Sequence, residues 1–173
     1  HFGFFFSIIG TNNWWSYFIM RQDKFGVFKM AKALDFDVFS VGLELGISLD
    51  SAKNILLPAV FTGDIDVDQG PNVNTVSSQG AANLIILKYD SLGNYLEHLH
   101  LKNQGGGIKK LDFDKAGNFV LTGELKDSIN LSFNNNPIWL YQSQNNQSFI
   151  ASYDKNGTLQ WHKKINGYIN FKK

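Results

Sequence analysis

The chain of 173 residues contains no cysteine, only 3 prolines and almost no net charge. Without cysteine it has no disulfide, no thiolate zinc site and no thiol nucleophile. The 16 Lys and Arg against 15 Asp and Glu give a net charge of +1, which supplies no basic field for nucleic acid or an acidic membrane. No apolar run reaches the ~18–20 residues that a membrane-spanning helix needs. We therefore expect neither nucleic-acid binding nor membrane insertion.

Phenylalanine and asparagine are abundant instead, with 15 Phe and 18 Asn. Aromatic residues favour strands and Asn favours turns, so the composition predicts an all-β protein. The sequence starts at His1 without an initiator Met and without the basic segment of a signal peptide. We expect both ends to be cut from something longer; a mature chain trimmed by processing is the alternative.

An Asp-x-x-Gly motif recurs and defines an internal repeat. The motif begins at Asp23, Asp90, Asp114 and Asp154, and a fifth copy at Asp50 has Lys53 in the place of glycine. Short and long spacings between the five Asp residues alternate, so each repeat contains two turns. The step from Asp50 to Asp114 equals the step from Asp90 to Asp154, and we call it the repeat offset.

The motif also has a recognisable turn chemistry. Asp followed by a left-handed Gly is typical of a tight β-hairpin turn. We expect Lys53 to loosen its turn, or Asn54 to take over the role of glycine.

The repeat predicts a partial β-propeller. Two hairpins in each repeat give four antiparallel strands, joined in the second copy by a long polar loop over residues 132–147, which is typical of a propeller blade. We expect two complete four-stranded blades at about residues 45–101 and 108–165, preceded by half a blade at about residues 14–34. A β-sandwich is the alternative, although it does not explain the self-similarity at the repeat offset. Open blade edges then require neighbouring blades from a longer chain, or self-association.

Several motifs occur in a fixed order within each repeat, and the best examples come from different copies. In repeat order they are Asp114 to Asn118 with Thr122-Gly123, Gly63 to Asp68, Ile85 to Asp90, and Leu159 to Ile165. This succession resembles bacterial β-propeller repeat proteins of the SBBP type over about residues 17–167. The chain departs from the pattern at Pro58-Ala59, at Lys53, and at Met30 and Glu97, which stand where Trp161 shows the preferred residue. The resemblance implies a propeller, a secreted or cell-surface location, and no defining catalytic motif.

Asp64, Asp66 and Asp68 alternate as they would on one side of a strand, and carboxylates are ligands that Ca²⁺ prefers. The EF-hand template fails, because Gln69 and Thr75 occupy its Gly and Glu positions. In the second repeat the equivalent positions hold Ser128, Asn130 and Ser132. We favour a short edge strand with Ile65 and Val67 turned inward and solvated carboxylates outward. We expect no cofactor and no metal requirement for folding; Ca²⁺ binding is the alternative.

Two other patterns carry less chemical information. His98 and His100 would face the same side of a strand as a metal-binding pair, but His98 lies one repeat offset before His162, which favours a repeated structural position. Gly105-Gly106-Gly107 lacks the Lys-Ser/Thr of a phosphate-binding loop and is expected to join two blades. No nucleophile elbow and no acid–base pair is identifiable. The sequence therefore predicts that the chain is not an enzyme.

Two aromatic clusters, Trp14-Trp15 and Trp139 with Tyr141, lie in or beside predicted loops. Exposed aromatic rings stack on sugar rings or on a partner's apolar side chains, whereas buried ones would fill contacts between blades. The second cluster is the stronger binding candidate because it lies in the long variable loop.

The whole sequence favours a non-catalytic binding or structural module of a secreted or surface protein, which recognises protein or glycan through its loops. One alternative is part of a propeller-fold hydrolase or lyase whose active site lies in blades outside this segment. Another is a structural spacer.

Overall fold

A computed structural model describes residues 3–11, 14–34, 44–68, 70–78, 83–102 and 107–167. Over these ranges the chain forms strands and turns and contains no helix, which confirms the all-β prediction. None of the described residues belongs to a helix with the length and hydrophobicity of a membrane span.

The described residues form sixteen strands. In the N-terminal third they are β1 (Gly3–Thr11), β2 (Trp14–Gln22), β3 (Phe28–Leu34), β4 (Glu44–Leu45) and β5 (Ser48–Leu49). The middle of the chain contains β6 (Ile55–Phe61), β7 (Asp64–Asp66), β8 (Thr75–Ser77), β9 (Asn83–Tyr89) and β10 (Tyr95–Leu101). The last six are β11 (Gly107–Phe113), β12 (Phe119–Leu125), β13 (Ser128–Asn130), β14 (Trp139–Tyr141), β15 (Gln147–Tyr153) and β16 (Leu159–Asn166).

These strands pair into three main sheets. The N-terminal sheet has the order β1-β2-β3, and the central sheet has the order β10-β9-β6-β5. The C-terminal sheet has the order β16-β15-β12-β11-β4; its first four strands are antiparallel, and β4 pairs parallel to β11. Two short hairpins, β7-β8 and β13-β14, stand apart from these sheets. The first lies in the connection between β6 and β9, and the second lies in the connection between β12 and β15. None of these sheets closes on itself.

The internal repeat is visible strand by strand. Strands β6, β7, β8, β9 and β10 each begin one repeat offset before β12, β13, β14, β15 and β16, respectively. The interpretation of residues 132–147 as a long loop is wrong in part, because this segment contains β14, which pairs with β13. The alternating burial of Trp139, Leu140 and Tyr141 accounts for this short strand.

The N-terminal sheet and the start of the central sheet differ from the expected boundaries. Only two strands are expected in the first unit, but β1 also pairs with β2, from Gly3 opposite Gln22 to Thr11 opposite Trp14. The run of Phe and Ile in β1 has the high strand propensity that this pairing requires. The central sheet begins with β5 rather than at residue 45, since Glu44–Leu45 pairs with the next sheet.

The central sheet is covered on both faces. All seven residues of β6 are buried, as expected for a strand between two apolar layers. One face packs on Ile19 of the N-terminal sheet through Ile55, Leu57, Ala59, Phe61, Ile85, Leu87 and Tyr89. The opposite face packs on the C-terminal sheet through Val60, Leu84, Ile86 and Leu101, which meet Phe119, Leu121, Phe149 and Ala151.

The predicted Asp turns are present, and Asp114 shows their chemistry. Its carboxylate oxygen accepts hydrogen bonds from the backbone N–H groups of Ala116 at 2.8 Å and Asn118 at 2.9 Å. The Gly117 N–H donates to the Asp114 carbonyl at 3.1 Å, and Gly117 has a left-handed φ of 89°. The hydrogen bond from the Asn118 side chain, followed by those from the backbone, lowers the pKa of Asp114. The carboxylate therefore acts as a structural acceptor.

The expectation that Lys53 loosens its turn is wrong. Lys53 adopts a left-handed φ of 67°, and its N–H donates to the Asp50 carbonyl at 3.0 Å, as glycine does in the other turns. Asn54 does not replace it; the Asn54 side chain donates to the Asp50 carboxylate at 2.9 Å, as Asn118 does to Asp114. The hydrogen bonds of the turn hold Lys53 in a conformation that costs a non-glycine residue about 1–2 kcal/mol.

We predict that Lys53→Gly raises the free energy of unfolding by about 1 kcal/mol, because glycine adopts the left-handed conformation without this strain. Urea unfolding measures the change. Lys115→Gly is the matched control, since Lys115 lies in the equivalent turn at a position without positive φ. Glycine should destabilise that turn slightly. Equal effects of the two substitutions would contradict the explanation.

Candidate functional site

The β7-β8 and β13-β14 hairpins lie at the end of the sheets opposite the Asp turns. A buried side chain and a tyrosine hydrogen bond hold each hairpin against its sheet. Ile65 and Ile129 turn inward and are buried, with 2% and 0% of their surfaces exposed. The Tyr89 hydroxyl donates to the Val67 carbonyl at 3.2 Å, and in the second repeat the equivalent Tyr153 hydroxyl donates to the Leu131 carbonyl at 2.9 Å. Burial raises the pKa of both tyrosines, so both hydroxyls remain donors at neutral pH.

Asp66, at the centre of the candidate metal cluster, has a structural role. Its Oδ1 accepts from the backbone N–H groups of Asp68 at 3.1 Å and Asn74 at 2.9 Å. In the second repeat Asn130 Oδ1 accepts from Ser132 and Ile138, both at 3.0 Å. A neutral amide thus does in one repeat what a carboxylate does in the other, so the negative charge is not required for this hairpin.

The other two aspartates differ from the expected arrangement. Asp64 is exposed on β7, but Asp68 lies beyond the end of β7, and its Oδ1 accepts from the Gly70 N–H at 2.9 Å. Ile65 and Val67 are buried, as the edge-strand interpretation predicts. The described residues contain no group of three or more His, Asp or Glu side chains arranged to hold a metal ion.

The outward-facing positions of the two hairpins differ sharply in chemistry. In β8 they hold Thr75 and Ser77, and in β14 the equivalent positions hold Trp139 and Tyr141. Trp139 is 40% exposed and Tyr141 is 61% exposed, while Leu140 between them is buried. The ring centroids of Trp139 and Tyr141 are 6.4 Å apart and their planes are tilted by 30°. The second repeat therefore displays an aromatic pair, Trp139 and Tyr141, where the first displays small hydroxyl residues.

A polar cleft of about 350 Å³ is lined in part by residues that follow β14. Gln142, which follows Tyr141, lines it, and the Gln142 N–H donates to the Asp127 carbonyl at 2.6 Å. The other lining residues are Glu124, Leu125, Lys126, Asn145, Asn146 and Gln147. A second cavity, between the central and C-terminal sheets near His98 and Lys155, is about 100 Å³. Only the first volume is in the range of small-molecule sites, roughly 300–1,000 Å³.

Trp14 and Trp15, the other aromatic candidates, are not in a loop. They begin β2, where they lie opposite Thr11 and Gly10. Among the described strand pairings, β2 joins β1 and β3, whereas β14 joins β13, so no pairing brings the two aromatic clusters together.

The histidines of β10 have structural partners. The Tyr95 hydroxyl and His98 Nδ1 are 2.7 Å apart, and His100 Nε2 and Asn83 Oδ1 are 2.9 Å apart. Burial lowers the pKa of His98. Burial and, to a smaller extent, the charges of His98 and Lys102 lower the pKa of His100 to about 4. Residues 105 and 106 of the triglycine segment lie outside the described residues, and Gly107 begins β11.

We predict that Asp66→Asn leaves the free energy of unfolding within about 0.5 kcal/mol of the original, since Asn130 makes the same bonds. Asp66→Ala should cost about 1–3 kcal/mol, because two backbone donors lose their acceptor. Urea unfolding distinguishes the two variants.

The same variants test the calcium alternative. We expect equal melting temperatures for the unsubstituted chain in calcium and in chelator. A clear rise with calcium that disappears in Asp66→Asn would instead identify a metal site.

No protein-family model and no curated protein matches this chain. The two repeats can still be compared with each other, and equivalent positions with different side chains separate what the fold requires from what it does not.

Proposed function

We propose that the chain is a non-catalytic binding module that recognises glycan or protein through the β13-β14 hairpin. The observation that carries this proposal is the exposed pair of Trp139 and Tyr141. Their equivalents Thr75 and Ser77 support the same hairpin without an aromatic ring, so packing does not require the rings.

The energetics support a binding role for the pair. Large aromatic side chains stabilise a fold by burying surface, and these two leave about half of theirs in water. Contiguous exposed apolar surface with a polar rim is typical of interaction sites. Trp and Tyr are also the residues most enriched among those that dominate binding energy at interfaces.

We further propose that the sheets are consecutive blades of an open β-propeller segment, in a secreted or surface protein, as the resemblance implies. Two observations support this architecture: the strands recur at the repeat offset, and the central sheet is covered on both faces, which a two-sheet sandwich does not provide. The outer face of the C-terminal sheet then has the position that a further blade would cover. Ile150 and Ile165 are half-buried there, and Trp161 is exposed.

The binding proposal predicts that a double substitution, Trp139→Thr with Tyr141→Ser, abolishes binding without unfolding the chain. It installs the residues of the first repeat at the same positions. Binding is measured on a panel of immobilised oligosaccharides and peptides, with unfolding followed in urea. Phe25→Ser is the control, because Phe25 is an exposed aromatic residue in the turn that joins β2 and β3. If no probe on the panel shows binding that depends on Trp139 and Tyr141, the proposal is overturned.

The architecture predicts concentration-dependent self-association of the chain, because the outer face of its last sheet is partly apolar. Light scattering measures the mass against concentration. Ile150→Lys should reduce the association, and Lys115→Ala, in an exposed turn, is the control that should leave it unchanged. A stable monomer at every soluble concentration would contradict this prediction.

A further inference from the structure

We propose that the aromatic pair and the adjoining polar cleft form one elongated site for a neutral oligosaccharide. This inference rests on the proposed binding function and names its ligand class. Four observations carry it: the geometry of the rings, the rigidity of the strand beneath them, the amide side chains of the cleft, and the balance of charge around it.

The two rings stand side by side along one strand. Their centroid separation of 6.4 Å corresponds to about two residues of strand rise, and the planes are tilted by 30°. A platform of this kind extends over more than one ring, so it suits a ligand with successive rings. Sugar rings present apolar C–H faces, which stack on aromatic faces while their hydroxyl groups remain available for hydrogen bonds.

The backbone beneath the platform is fixed before any ligand arrives. Leu140, the middle residue of β14, is buried. The Ile138 N–H donates to Asn130 Oδ1 at 3.0 Å, and Lys164 Nζ donates to the Tyr141 carbonyl at 3.2 Å. Neither ring therefore requires the hairpin to become ordered on binding. Preorganisation of this type reduces the entropy that a ligand must overcome.

The cleft is lined from Gln142 onward, the residue that follows Tyr141. Its side chains include Gln142 and Asn145, whose amides offer both donors and acceptors. Neither amide is engaged by another group of the described chain. Gln147, by contrast, is buried, and its amide oxygen accepts from the Ser143 N–H at 2.8 Å, so Gln147 shapes the loop. Amides with open donors and acceptors match the hydroxyl groups of a sugar.

The charges at the cleft favour a neutral ligand over an ionic one. Glu124, the carboxylate in the lining, pairs with Lys109 at 3.3 Å. Lys126 is the one further charged residue among the lining residues. Lys164, outside the lining, donates to the Tyr141 carbonyl at 3.2 Å and to Ser143 Oγ at 3.4 Å, so the protein itself holds its ammonium group. Exposed ammonium groups attract an anion weakly and are screened by salt. The recognition chemistry available is therefore ring stacking and hydrogen bonding.

The experiment is an array that carries neutral oligomers of glucose, mannose, xylose, galactose and N-acetylglucosamine beside sulfated and uronate oligosaccharides and peptides. Intrinsic Trp fluorescence then gives the affinity for each bound probe. We expect binding to a neutral oligomer that is unchanged in about 0.5 M salt. Trp139→Thr and Tyr141→Ser should each weaken it at least about tenfold. Trp139→Phe, which keeps a ring, should lose less, and Phe25→Ser should retain binding.

The outcomes separate this inference from the binding proposal. Binding only to peptides, if it depends on Trp139 and Tyr141, would overturn the oligosaccharide inference and leave the binding function intact. Binding only to anionic glycans, weakened by salt and by Lys126→Ala, would do the same. If no probe shows binding that depends on Trp139 and Tyr141, both the binding proposal and the oligosaccharide inference are overturned. The midpoint of urea unfolding shows whether the Trp139→Thr variant is still folded. A loss of binding in a folded variant is then not caused by a loss of structure.

Discussion

The structure depends on the packing of apolar residues against both faces of the central sheet. Because β6 lies between two layers, each of its residues is buried, and its sequence reads as a continuous apolar run. Strand β12 occupies the same position in the second repeat, but within the described part of the chain only one of its faces meets another sheet, and its Val120 and Glu124 are half-buried. The sequence follows this difference, since the half-buried Glu124 stands where the covered sheet has Val60. Burial, rather than strand propensity, explains why two equivalent strands differ in composition.

Side-chain oxygens hold the connections between these strands. In the Asp turns one carboxylate accepts two backbone N–H groups, and in the small hairpins Asp66 or Asn130 does the same. A buried or half-buried donor without an acceptor is costly, whereas the choice between a carboxylate and an amide oxygen matters little. This explains why an Asp-rich segment in one repeat corresponds to an Asn- and Ser-rich segment in the next without a change of backbone. The side-chain oxygen of Asp66 thus has a structural role, whereas its negative charge is not required.

The sequence predicts the strand class, the Asp turns and the equivalence of the two repeats, because each depends on local chemistry or on internal comparison. It does not predict β1, whose short apolar run has no turn signal before it, or the pairing of β4 with β11, which joins residues far apart in the chain. Nor does it predict the left-handed conformation of Lys53, because the turn's hydrogen bonds override the preference of one residue. For the site, Trp139 and Tyr141 can be selected from the sequence, but the polar cleft cannot, because the fold brings residues 124–126 beside residues 142–147.

Equivalent positions in a repeat act as a test of what a fold needs. Val76 and Leu140 are both buried and apolar, so the hairpin requires an apolar side chain at that position. Thr75 and Trp139 share a backbone position and an exposed side, but not size or chemistry, so the hairpin places little constraint on that position. Where packing does not constrain a residue, contacts outside the chain can determine its type. A large aromatic ring at such a position exposes apolar surface, which folding alone does not favour. The same reasoning applies to Tyr141 against Ser77, so the two substitutions that distinguish the hairpins occur two residues apart on one strand, just before Gln142 of the polar cleft.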